Sequence, residues 1–127
     1  MAQEIEKRSC RRFEIPGGKV KYKKSGLSGL FKGFTEAYPV LDVSKGGLAF
    51  ECEASFNWGE KITVQLLVPE ILPLTLRSIV RRQGESSDGY SVIVVEFMPF
   101  GPRKGWNTHE ALEELRGLEA RYAPKKA

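Results

Sequence analysis

Arg8 and Arg12 stand four residues apart in the stretch EKRSCRRFEIP. Four is two strand periods and close to one helical turn, so either backbone puts both guanidinium groups on one face. Arg11 then points elsewhere, to the opposite side if the segment is extended. Two guanidinium forks on one face can grip phosphates, take the O6/N7 edge of guanine, or stack on a base. A second group, DVSKGG, follows at residues 42–47. Asp42 and Ser44 are two apart and share a face of a strand. The carboxylate only accepts, which complements paired N–H donors such as the N1/N2 edge of guanine, and the hydroxyl can donate to a phosphate or ring nitrogen. Gly46 and Gly47 permit positive φ and the close approach of a ligand to the backbone. Taken singly, each group has a plainer reading. The arginines suit a solvated basic arm, and DVSKGG suits a hairpin turn whose Asp and Ser bond their own backbone.

Other chemistry finds little to build on. Cys10 and Cys52 have neither metal nor redox spacing and read as free thiols of a reducing compartment. His109, in NTHEALEEL, reads as a surface residue at a helix start. Without a His/Cys/Asp/Glu cluster no metal site is expected. Without a nucleophile–base or carboxylate pair, neither is an enzyme. The net charge of +4 is uneven, because residues 1–24 hold eight cations against Glu4, Glu6 and Glu14 while the remainder is close to neutral. An anionic ligand should therefore be met at the N-terminal end. No apolar run approaches the ~20 residues of a membrane span, and MAQEIEKRSC is too polar for a signal peptide. A cytoplasmic protein without membrane insertion is expected.

The elements that must position these groups are mostly strands. GGKVKYKK alternates Val20 and Tyr22 with lysines, so this strand should lie at an edge or face water. SGLSGLFKGF reads as a flexible loop whose Leu27, Leu30 and Phe31 fold back on the body. TEAYPVLDV and GLAFECE flank the Ser-Lys-Gly-Gly turn, and KITVQLLVPE and ILPLTLRSIVRRQ follow as further strands. YSVIVVEFMPF, largely apolar, should be central. Five or six short strands with turns between them predict an all-β chain, a small antiparallel barrel or sandwich. The end differs: Leu112, Leu115, Leu118 or Glu119, and Tyr122 recur at helical spacing, with Asn107 as N-cap and Glu110 completing a capping box. The expected division is a flexible N-terminal segment at 1–15, a β-barrel at 16–100, and a C-terminal α-helix and tail at 101–127.

Together, the paired arginines and the D-x-S-x-x-G group ahead of a run of strands resemble the PilZ domain family, whose motifs are RxxxR and [DN]xSxxG. The resemblance covers roughly residues 6 to 100. FNWGEKITVQLLVP looks like the family's turn-Gly-strand segment, and SIVRRQGESSDGYSVIVVEF like its closing hairpin. It implies a six-stranded antiparallel barrel with a C-terminal helix. It also implies a receptor, without catalysis or cofactor, for the bacterial second messenger cyclic di-GMP, changing conformation to signal to a partner protein. By resemblance, Arg8 and Arg12 contact guanine edges and phosphates. Asp42 and Ser44 hold a guanine, Gly46 and Gly47 belong to the same motif with Gly47 keeping the surface open, and Arg11 stacks on a base as an accessory. Lys7 sits where the family tunes whether one or two nucleotides bind. Two features depart from the pattern, the long loop at 25–35 and the bulky Trp58 before Gly59. A small barrel binding single-stranded nucleic acid is the alternative, favoured by the basic start and Tyr22 among lysines. It ranks second because aromatics do not interleave with cations on several strands. The downstream partner and process are not legible.

Overall fold

The computed structural model describes residues 11–24, 33–86 and 88–124. Its strands are β1 (Lys19–Lys24), β2 (Tyr38–Val43), β3 (Gly47–Cys52), β4 (Lys61–Leu67), β5 (Leu74–Glu85) and β6 (Ser91–Phe97), followed by a helix, α1 (His109–Tyr122). The strands close into an antiparallel barrel in the order β1-β2-β3-β6-β5-β4. The sequence left barrel and sandwich open, and closure settles it as a barrel.

Period-two alternation builds the interior. Val20 and Tyr22, Leu48 and Phe50, Ile62, Val64 and Leu66, Leu76 and Val80, and Ile93, Val95 and Phe97 all point inward and are buried. A central aromatic group joins β1 to β2 and β3: the Tyr22 ring lies 6.1 Å from Tyr38, 5.9 Å from Phe50 and 5.1 Å from Phe56. Strand β1 is no edge, since it pairs with β4 throughout and with β2 through Lys19 and Val20, while Lys19, Lys21 and Lys23 take the water side. β6 is paired on both flanks, as its apolar composition predicts. Pro73 falls just before β5, where its missing donor costs no ladder bond.

The helix start differs from expectation. Thr108, not Asn107, is the N-cap, its side chain accepting from the Ala111 N–H at 3.1 Å. Asn107 is buried and spans the end of the sheet instead. Its Oδ1 accepts from the Arg77 N–H at 2.7 Å, and its Nδ2 donates to the Arg77 and Met98 carbonyls at 3.0 and 2.9 Å. A primary amide matches a strand's free N–H and C=O together, and a buried polar side chain needs such partners. The buried stripe of α1 is Ala111, Leu115 and Leu118, with Leu112 and Tyr122 only half-buried. His109 is exposed at the helix start, as its surroundings predict.

Candidate ligand site at the barrel rim

Among the described residues, the N-terminal segment is tied to the end of β2 by a bridge at Phe13. Phe13 bridges Val43 at the end of β2, the Phe13 N–H donating to the Val43 carbonyl at 2.8 Å and the Val43 N–H to the Phe13 carbonyl at 2.9 Å. Phe13 and Ile15 are both core residues, so these last residues of the segment belong to the packed body. With Phe13 turned inward, alternation turns Arg12 and Glu14 outward. Continuing the antiparallel register sets Arg12 across from Ser44 and Glu14 across from Asp42. Glu14 belongs to neither motif, so spacing does not mark it. Arg8 and Lys7 lie outside the described residues, as do Cys10 and Leu27, Leu30 and Phe31.

A bulge aims Asp42. β2 and β3 pair as Val40 with Phe50, then as Asp42 with Ala49, so one extra residue is inserted at Leu41. Strict alternation from Tyr38 and Val40 would turn Asp42 into the core. The bulge shifts the phase, placing Val43 inside and Asp42 half-exposed outside. Asp42 and Ser44 thus flank an inward residue, as their spacing of two predicts. Among the described residues, neither Arg12 nor Asp42 is ion-paired.

Ser44 is occupied by its own turn. Its Oγ accepts the Gly46 and Gly47 N–H groups at 3.1 and 3.2 Å, and its N–H donates to the Gly47 carbonyl at 2.8 Å. The hairpin reading of DVSKGG therefore holds for Ser44, whose hydroxyl shapes the turn. Gly47 needs no positive φ. Its role is close approach, since a Cβ there would fall 2.1 Å from the Val95 carbonyl oxygen of β6. The Gly46 carbonyl accepts from the Phe97 N–H at 2.9 Å, so both glycines bind the hairpin to β6.

Arg11 is not brought to this face. Its guanidinium donates to the Pro124 carbonyl just beyond α1, on the side opposite Arg12. Lys45, at the hairpin tip, pairs with Glu119 of α1 at 3.6 Å. Elsewhere, Cys52 is fully buried, and burial pushes its thiol pKa up, against what a reactive thiolate requires. Trp58 is largely exposed, with the Arg81 guanidinium 5.8 Å from its ring.

Several solved structures share this architecture. The Bacillus subtilis inhibitor of motility MotI/DgrA superposes with a TM-score of 0.65 at 16% identity, covering 90% of this chain and 49% of that one. YcgR of Escherichia coli in complex with c-di-GMP gives 0.67 at 14%, covering 90% and 45%. The K. pneumonia MrkH–c-di-GMP complex gives 0.62 at 16%, covering 90% and 53%. The chain thus spans about half the length of these structures. A search of curated proteins gives no significant match. The family model described as the PilZ domain matches residues 6–114.

Proposed function

Because this chain belongs to the PilZ domain family, we propose that it is a receptor for cyclic di-GMP. The observation that carries the reading is the Phe13–Val43 bridge, which seats Arg12 beside the hairpin bearing the outward Asp42. Arg8 and Arg12 grip the phosphates and guanine edges from one side. Asp42 accepts the N1 and N2 hydrogens of a guanine from the other. Ser44, Gly46 and Gly47 give the hairpin the shape the nucleotide lies on. Arg11 joins by stacking on a base once it leaves the Pro124 carbonyl. No catalytic step and no cofactor are assigned.

In this reading the residues ahead of Phe13 close over the ligand, the rigid half is the barrel at 16–100 together with the core-packed Phe13 and Ile15, and 101–127 carries the change to a partner protein in the cytoplasm. YcgR and MrkH were solved with c-di-GMP, which supports the ligand class. Among the described residues, no helix is long and apolar enough to cross a membrane. Calorimetric titration with cyclic di-GMP tests the assignment. Arg8→Ala and Arg12→Ala should each weaken binding by at least about tenfold, as loss of a charge-assisted contact implies. Unchanged binding in both variants would remove the reading.

A further inference from the structure

The water-facing positions of β1, β4 and the first half of β5 carry Lys19, Lys21, Lys23, Lys61 and Arg77, with no carboxylate among them. Strand register lines these up, with Lys23, Thr63 and Arg77 forming one row and Lys21, Gln65 and Thr75 the next. This face is across the barrel from the β2–β3 hairpin.

The segment between β6 and α1 folds over one end of it. Asn107 latches that segment to Arg77 and Met98 through the three side-chain bonds described above, two to Arg77 and one to Met98, and the Gly101 N–H donates to the Asn107 carbonyl at 2.8 Å. Gly105, at φ +86°, turns the chain so closely that the Arg77 guanidinium is 4.0 Å from where a Cβ would stand. Lys104 and Trp106 are thereby brought over β4 and β5. They enclose a hollow of about 350 Å³ with Lys61, Thr63, Arg77 and Met98. Among the described residues Lys61, Arg77 and Lys104 have no ion-pair partner, whereas Lys24, Lys45, Arg81 and Arg116 all do.

Three uncompensated cations around a hollow with Trp and Met in its wall match the anatomy of a protein-binding hot spot. A nucleic-acid strand would need open ring faces for stacking. Trp106 has its ring against Gly101, 2.9 Å from where a Cβ would stand, and the Arg103 guanidinium 5.3 Å from its centre. A membrane surface would need a protruding apolar face, and this one is concave. We propose that the hollow bounded by Lys61, Arg77, Lys104 and Trp106 docks an acidic segment of a partner protein. An apolar side chain of that segment sits between Met98 and Trp106, and its flanking carboxylates meet the three cations. The site stands independently of the nucleotide reading.

Selection of a displayed library of random twelve-residue peptides against the full chain tests this. Enriched peptides should pair Asp or Glu with a large apolar residue. Their affinity should fall about tenfold or more in Arg77→Glu/Lys104→Glu. Lys61→Glu/Lys104→Glu serves as a second variant should the first not fold, and cyclic di-GMP binding should be unchanged in either. Enrichment without acidic bias, no enrichment, or equal binding to the charge-reversed chain would overturn the proposal. Displacement of the peptide by a single-stranded DNA twelve-mer at lower concentration would give the face to nucleic acid. A concentration-dependent dimer lost on charge reversal would give it to a second copy.

Discussion

Gly47 separates two kinds of motif residue. The spacing of DVSKGG marks it as belonging to a ligand group, yet its missing side chain is required by the backbone of β6. A methyl group there meets a carbonyl oxygen that the β3–β6 ladder holds in place. Gly47→Ala should therefore destabilise the fold by about 2–3 kcal/mol, as overpacking does, measured by urea denaturation. Stability equal to the parent would mean that β6 can yield. Ser44 divides the same way, because its hydroxyl is spent on the Gly46 and Gly47 N–H groups. Asp42 and Arg12 keep their polar ends outward. Sequence spacing picked out these residues as a group, but residue type alone does not say which side chains face a ligand and which hold the turn.

The strands were legible because they are amphipathic. Val20 and Tyr22 among lysines, or Ile62, Val64 and Leu66 in KITVQLL, state their inner face by alternation. What alternation hides is a change of phase. The extra residue in β2 follows from pairing with β3, and only that pairing turns Asp42 out of the core. The helix start is hidden from the sequence for a related reason. Asn and Thr are both good caps, and the choice fell to tertiary contacts that satisfy the amide of Asn107 more fully than a helix end would. Asn107→Ala leaves the Arg77 N–H and two carbonyls without their side-chain partner. It should cost about 2–4 kcal/mol, from more than one unsatisfied buried group, whereas Thr108→Ala should cost ~1 kcal/mol as a lost cap. Thermal denaturation of the two variants checks the order. A reversed order would return the cap to Asn107.

At the scale of the whole molecule, closure concentrates burial at the aromatic centre. Burial first, and then the nearby Cys52, push the Tyr22 pKa from 10.0 up to about 12. In the unfolded chain this phenol ionises near 10, so between those values only the unfolded state has released the proton. Stability should hold below about pH 10 and fall as pH rises towards 12, by on the order of 2 kcal/mol from this residue. Denaturation at pH 9 and pH 11.5 should show a smaller decline in Tyr22→Phe than in the parent. An equal decline would place the alkaline sensitivity elsewhere, with Tyr38 next, since burial raises its pKa too. The same closed body sets the rim hairpin, with Asp42, beside the bridge that carries Arg12. Calorimetric titration of cyclic di-GMP into the parent chain, Arg12→Ala and Asp42→Ala tests that juxtaposition most directly. A two-sided clamp requires saturable binding by the parent and a loss of at least about tenfold in each variant. No heat of binding in the parent, or parent-like affinity in both variants, would contradict it.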